Sequence, residues 1–377
     1  MSVGARNPRI DVMRGVAIML VLLHHFWIAY PINSFAVSRS PAWLFLHAVF
    51  RNGNYAVTIF FVISGFLITS NAEKRWGGLQ NVNALSFYRY RTARIIPSVL
   101  LLLVIVNVLA ALKVGIFENH PEFGGPVSFW IVDLASLTFW MNVLMSHVGW
   151  VNYVLCVQWS LSIEEMFYLS FPVLCLGLRR ERLLLAAWSV FIVLGPIWRA
   201  THQVSEYAEL NSYLSCFDGI AFGCCAAVLT KYVRLPCWST TPVSGLVAVG
   251  MTWFYLSGSI GRTGVYGVTV MALGTAILLI AQAHDGSPSS RRSAVLEPLR
   301  RVGCLSYEIY LFHLVVLGVL RTVWLPASTG GGGEVVLLVA YLILSTILAV
   351  IVSRYYSEPL NRRFRAGAFS SPGPAKA

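Results

Sequence analysis

Charge is what this sequence has least of. Of its 377 residues only 12% are Asp, Glu, Lys or Arg, while 57% are hydrophobic. Ordinary soluble chains carry about 25% charged residues. Half that complement cannot cover a water-soluble body of 41.7 kDa, and the mean hydropathy is +0.69. A soluble enzyme and a disordered chain are both excluded. Cysteine patterning is missing too: seven cysteines (Cys156, Cys175, Cys216, Cys224, Cys225, Cys237, Cys304) show no C-x-x-C spacing. That excludes a secreted disulfide scaffold and a thiolate metal site, and leaves small apolar side chains for burial. No internal repeat is visible, which weighs against an inverted-repeat transporter. Acidic residues number 16 against 28 Lys and Arg, for a net charge of +12. In a soluble domain that excess would raise nucleic acid as a partner. Here the arginines stand in short blocks between apolar runs, so no nucleic-acid partner is expected.

What the chain has instead is a succession of apolar stretches, each long enough to cross a hydrocarbon core of about 30 Å as a helix. Ten are read, at 11–30, 55–71, 94–116, 160–178, 182–199, 212–230, 241–258, 264–283, 303–325 and 334–356. The fold class is therefore all-α: a polytopic integral membrane protein of about ten transmembrane helices. With the N-terminus inside, 22 of the 28 Lys and Arg fall in inner segments. Only Arg39, Arg51, Lys113, Arg199, Arg262 and Arg321 fall on or near the outer side. That asymmetry favours an N-in, C-in arrangement in a cell inner (plasma) membrane.

One stretch, 128–145, is apolar enough for an eleventh span, although Asp133 and Asn142 interrupt it. A crossing there would invert every later loop and abolish the charge asymmetry. It is expected instead to be a re-entrant or interfacial helix within a long outer loop, 117–159, which contains no Lys or Arg and can roof a site. The basic start and apolar first run have the look of a signal peptide, with Ala36-Val37-Ser38 as a cleavage motif. Asp11, Arg14, His24 and His25 argue against cleavage. Residues 1–360 are read as one transmembrane domain and 361–377 as a short basic cytoplasmic tail, with no soluble domain appended.

Ionisable groups in hydrocarbon cost a few kcal/mol each, so those inside spans are candidates for function. Arg14 and His25 lie eleven residues apart, which at 100° per residue puts them within about 20° on one helix face, roughly 16 Å apart along the axis. Asp11 shares that face. An Asp11–Arg14 pair for topology, with His25 bonding a neighbouring helix, is the ordinary alternative. His24 points away and is read as structural. Arg91 and Arg94 are read at the start of the third span, where a helix N-terminus and two guanidinium forks suit phosphate. A positive-inside anchor is the competing role, and arginine at each position instead of lysine tilts the balance modestly. Glu164 and Glu165 enter the fourth span from outside, where carboxylates can orient an imidazole or bind sugar hydroxyls; plain interfacial solvation is the alternative. Asp218, and Ser306, Tyr307, Tyr310 and His313 in the ninth span, add polar atoms at membrane depth.

These strings resemble the integral-membrane acyltransferase family 3, whose members acylate hydroxyls, mostly of extracytoplasmic glycans. The resemblance runs from Asp11 to about Pro359. It is carried by Asp11-Val12-Met13-Arg14-Gly15 with His25, by Phe60 to Leu67 (FFVISGFL), and by Arg91-Thr92-Ala93-Arg94-Ile95-Ile96-Pro97. Trp159 to Glu165 (WSLSIEE) and Ser306-Tyr307 with Tyr310 and His313 complete it. Two features depart from the pattern: Cys216-Phe217 precede Asp218 where a basic residue is common, and the C-terminal esterase-like domain of longer members is not seen.

The resemblance implies acyl-CoA as donor, bound from the cytoplasm and not held permanently, and a glycan or glycolipid acceptor reached from outside. No metal is implied. His25 would serve as general base or carry the acyl group covalently. Glu164 would orient it or the acceptor. Arg14, Arg91 and Arg94 would hold the donor, and Asp11, Glu165, Ser306, Tyr310 and His313 would contact substrate in a membrane-lipid setting. The function expected is O-acyl transfer, acetyl by preference, to a cell-envelope or exported glycan. A transporter or exporter of a lipid-linked or small acylated substrate is the rival. It explains the spans but not the paired Arg-x10-His and Arg-x2-Arg spacings. A scaffold with decayed catalysis is disfavoured by the presence of His25 and both arginines.

Overall fold

A computed structural model describes residues 7–30, 41–203, 209–233, 237–284, 294–325 and 331–366. Arg6, Arg39, Arg234, Arg291, Arg292, Lys376, Ala36-Val37-Ser38 and the end of the tail lie outside them. The described residues are helical apart from short connections and one isolated bridge, Asn119 to Asn152. In chain order the helices are α1 (Pro8–Ala29), α2 (Pro41–Arg51), α3 (Asn54–Trp76), α4 (Ala84–Ala111), α5 (Phe129–Leu137), α6 (Met141–Val148), α7 (Trp159–Leu178) and α8 (Glu181–Thr201). They continue as α9 (Tyr213–Leu229), α10 (Cys237–Ser257), α11 (Ile260–His284), α12 (Glu297–Cys304), α13 (Ser306–Val323), α14 (Gly331–Val352) and α15 (Glu358–Ala366).

Each expected span falls on a helix, and eight helical stretches among the described residues are long and apolar enough to cross a membrane. These lie on α1, α3, α4, α7, α8, α11, α13 and the rod from Gly332 to Arg365. Helix α9 is apolar but shorter, at 17 residues. Helix α10 falls outside the eight; Ser239, Thr240, Thr241 and Pro242 dilute its first turns. The protein is thus an all-α polytopic membrane protein. The stretch 128–145 breaks into α5, of nine residues, and α6, of eight. At 1.5 Å per residue neither is more than about half a hydrocarbon core. The break lies at Thr138–Trp140, where Phe139 takes a φ of 59°.

Helix α3 is the central post. It packs against α1, α9 and α11, and 72% of its apolar window is buried, against 22% for α8 at the periphery. Without water to reward apolar burial between helices, close contact has to come from small residues that let backbones meet. Gly65 on α3 faces the Ile220 carbonyl of α9, and Gly223 on α9 faces the Val62 carbonyl of α3. A Cβ at either position would collide with backbone. The same reciprocal arrangement joins α1 to α12, Gly15 lying against the Leu299 carbonyl and Gly303 against that of Asp11.

The loop from 117 to 159 is clasped at its two ends. His120 N donates to Val151 O at 2.7 Å, and Asn152 Nδ2 donates to Asn119 Oδ1 and Phe117 O at 2.9 and 3.1 Å. Phe117 packs over Gly318 of α13, and Asn107 of α4 donates to the Asp133 carboxylate at 3.0 and 3.1 Å. Helix α14 does not end where α-helical geometry ends. Ser353–Ser357 form a π-turn that leads into α15, so the expected domain limit at residue 360 falls inside a helix. Helix α15 packs back onto α4.

The loop analysis gives a topological test. Glu122→Cys and Trp150→Cys, each in a protein whose native cysteines are removed, should both react with an impermeant thiol reagent applied from outside. Reaction from opposite faces would mean that 128–145 crosses.

Candidate active site

Helices α1, α3, α4, α7 and α13 enclose a cleft of mixed apolar and polar lining, with about 1010 Å³ of atom-free space, solvent at its mouth included. Arginine dominates one end, where Arg14 of α1, Arg91 and Arg94 of α4 and Asn71 of α3 meet. Ser160 of α7 and Tyr310 of α13 close the other end, joined by a hydroxyl hydrogen bond of 2.6 Å. Glu164 stands along the cleft wall, as does Ser306, whose buried Oγ has no hydrogen-bond partner among the described residues.

The arginines are held differently from the sequence expectation. Helix α4 starts at Ala84, capped by the Asn83 side chain accepting from Ser86 N at 2.8 Å. Arg91 and Arg94 therefore lie two turns or more inside the helix, where backbone N–H groups are already bonded. The helix end therefore offers no free N–H groups at these two residues; what they present is their guanidinium forks. Arg91 lies over Tyr168, its Cζ 3.4 Å from the ring centroid, and the carboxylates of Glu164 and Glu165 are the anions acting on it. Arg94 is 5.9 Å from the Tyr307 ring, which is itself fixed by donating to Ile95 O at 3.2 Å.

The two glutamates are not at a solvated mouth either. Glu165 is buried, with Oε1 unpartnered among the described residues. Glu164 is half-buried and accepts from Tyr168 OH at 3.2 Å, and that hydroxyl also bonds Ser64. Three helices, α3, α4 and α7, are thus tied at one point by Ser64, Arg91, Tyr168 and Glu164.

His25 sits beyond the Tyr310 end and is not among the residues lining the cleft. Its ring meets that of His313 edge-on at 4.9 Å, and His313 lies 5.9 Å from Tyr310. So His25 stands one ring, that of His313, from Tyr310 in the cleft wall. His25 Nδ1 is 3.0 Å from Val21 O. A carbonyl only accepts, so Nδ1 carries the hydrogen and Nε2 presents a lone pair. Val21, not Glu164, therefore sets the orientation of this ring. His313 has the same tautomer, with Nδ1 2.7 Å from Tyr310 O and a buried Nε2 unpartnered among the described residues. His24 turns aside to Phe50 O at 2.9 Å. Of the residues singled out from sequence, the cleft gathers Arg14, Arg91, Arg94, Glu164, Ser306, Tyr307 and Tyr310. Asp11, Glu165, His25 and His313 are not in its lining; Asp11 stands at the α1–α12 contact.

One feature escaped the sequence reading. Arg199, assigned to the outer side, is fully buried at the end of α8 and pairs with Asp218 of α9 at 2.7 Å, both side chains wholly enclosed. Its remaining donors reach Thr269 Oγ1 at 2.6 Å, Val265 O at 3.1 Å and Ser215 O. The cation missing just before Asp218 in the chain is supplied by the preceding helix. An arginine within an apolar run was the available signal; its partner lies 19 positions away on another helix.

Fold and site together define a polytopic membrane protein with arginines lining an interior cleft. A family model described as an acyltransferase domain matches residues 7–354, and the chain belongs to that acyltransferase family. The O-acetyltransferase OatA of Staphylococcus aureus is 23% identical over 389 residues, covering 96% of this chain and 58% of its own length. The peptidoglycan O-acetyltransferase OatA of Listeria monocytogenes is 25% identical over 384 residues, covering 94% of this chain and 56% of its own. The chain thus spans little more than half the length of these relatives. No solved structure matches it.

Removing one member of a buried ion pair strands the other, at roughly 3–5 kcal/mol. Asp218→Leu should therefore lower the unfolding temperature of the purified protein sharply. Arg199→Met added to Asp218→Leu should recover much of the loss, and a double variant as unstable as the sum of the singles would count against a coupled pair.

Proposed function

We propose that this protein is a membrane O-acyltransferase that moves an acyl group, acetyl by preference, from acyl-CoA to a hydroxyl of a cell-envelope glycan. The observation that carries the reading is the arginine-lined cleft running toward an imidazole whose Nε2 lone pair is set by Val21. Family membership supports acyl transfer, and the names of the two relatives support acetyl. The Listeria relative is named for peptidoglycan, and a peptidoglycan sugar hydroxyl is the acceptor proposed here.

The geometry supports the following roles. Arg91 and Arg94 grip the diphosphate of CoA, with Arg14 across the cleft. The pantetheine arm extends along the cleft toward Tyr310, covering much of the roughly 16 Å that separates Arg14 from His25 along α1. His25 Nε2 takes the proton of the acceptor hydroxyl as its oxygen attacks the thioester carbonyl. When the C–S bond breaks, the imidazolium returns the proton to the departing CoA sulfur, so the ring ends as it began. His313, edge-on to His25, and Tyr310 in the cleft wall position that imidazole where donor and acceptor meet. The charge asymmetry of the loops supports donor entry from the cytoplasm and an inner-membrane location.

His25→Ala should abolish transfer while the protein remains inserted and folded, and His24→Ala should keep substantial activity. Acceptor modification at wild-type level in a well-expressed His25→Ala protein would remove the base from this mechanism. A second measurement separates phosphate grip from topology at the arginines. Lysine keeps the charge of Arg91 and Arg94 but neither the fork nor the stack on Tyr168. A lost charge-assisted bond costs about 1.5–3 kcal/mol, and about 1.4 kcal/mol is tenfold in affinity. Arg91→Lys/Arg94→Lys should therefore insert normally yet bind CoA at least about tenfold more weakly in a calorimetric titration. Unchanged affinity would assign both residues to topology alone.

A further inference from the structure

Just past the arginine end of the cleft, the fold gathers more positive charge than the mechanism above uses. Asn71 lines the cleft on α3, and Arg75 lies four residues on, one turn further out on the same face. Arg94 lines it on α4, and Tyr90 lies four residues back, one turn out in the same direction. These two turns meet: the Arg75 guanidinium is 3.9 Å from the Tyr90 ring centroid. A third element closes the group, since Arg365 on the last turn of α15 is 5.6 Å from the same ring.

No carboxylate is paired with these cations among the described residues. The cations Arg94 and Arg75 act against the charge of Arg365, and Tyr90 acts in its favour. The nearby Glu358 is taken by Arg362 at 2.9 Å. Arg365 is half-buried, and its Nε is enclosed without a hydrogen-bond partner among the described residues. Like charges drawn together by three helices, with a donor left unused, need an anion to complete them. The place is continuous with the cleft and lies on the side away from His25.

We infer that Arg75, Arg365 and the Tyr90 ring form a phosphomonoester subsite that takes the 3′-phosphate of the CoA donor, with the diphosphate one turn deeper at Arg91 and Arg94. This rests on the acyl-CoA reading and extends it to specificity. CoA carries its anions in two places, a diphosphate and a separate ribose 3′-phosphate. A phosphomonoester has a charge near −2 at neutral pH and three oxygens for forked donors. Two guanidiniums on one ring match that group better than they match a neutral or singly charged one. An anionic lipid headgroup offers related phosphate chemistry; the site's continuity with the cleft favours the nucleotide.

The test uses the full-length protein in nanodiscs of zwitterionic lipid, titrated with CoA and with 3′-dephospho-CoA. The wild type should prefer CoA by at least about tenfold, the value of one charge-assisted contact. Arg75→Gln and Arg365→Gln should each bring that preference close to unity and leave dephospho-CoA affinity within about threefold of wild type. Arg365→Lys keeps the stem and the charge, and should retain an intermediate preference even if the glutamine variant folds poorly. Equal wild-type affinity for the two ligands, or a preference that survives all three substitutions, would overturn the subsite and leave the donor reading standing. Failure of the wild type to bind either ligand would overturn the donor reading and the subsite with it. A preference unchanged in the variants, together with loss of stabilisation by phosphatidylglycerol in the nanodisc, would assign the arginines to lipid and overturn the nucleotide assignment.

Discussion

A guanidinium inside a membrane has to be answered by something the protein itself supplies, because the surrounding hydrocarbon offers neither water nor counterion. The cost of leaving it unanswered is several kcal/mol, enough to decide which helices stay together. Arg199 is answered completely, by Asp218, Thr269 and two backbone carbonyls, and this fastens α8, α9 and α11. Arg91 is answered by an aromatic face and by carboxylates that are themselves only partly satisfied. The first arrangement is saturated and reads as structure. The second has capacity left over, and it lies on the wall of the cleft.

The glycine contacts explain why that wall is firm. With Gly65 and Gly223 the backbones of α3 and α9 touch, so Ser64, the neighbour of Gly65, has little freedom to drift from the Tyr168 hydroxyl it bonds. Gly15 does the same for Arg14, its neighbour on α1. Two of the polar groups facing the cleft thus sit next to the points of closest helix contact, where displacement is resisted by backbone and not only by side chains.

Much of this was legible in the sequence, because apolar run length and charge interruption report directly on single helices. The helices themselves and the interruption of the 128–145 stretch belong to that kind of information. What was not legible concerns which helix faces which. The polar segment Ser86–Thr92 looks like a loop, but an Asn83 cap and the packing of Arg91 on Tyr168 carry the helix back to Ala84. Glu164 and Glu165 look like groups at an aqueous entrance until the opposing helix is known to bring Arg91. His25 meets His313 across 288 positions of chain. Arg199 hides its partner in the same way. Helical periodicity places a residue on a face; it does not name the neighbour.

The π-turn at Ser353–Ser357 has a consequence for comparing this chain with others. A π-turn accommodates one residue more than the α-helix around it, which turns everything after it by about 100°, the step of a single residue. Arg365 meets Tyr90 with that rotation in place. A relative with an uninterrupted helix through this region would carry an arginine at the aligned column and aim it elsewhere. Sequence alignment would record shared ancestry at that position, while the two side chains would have no geometry in common.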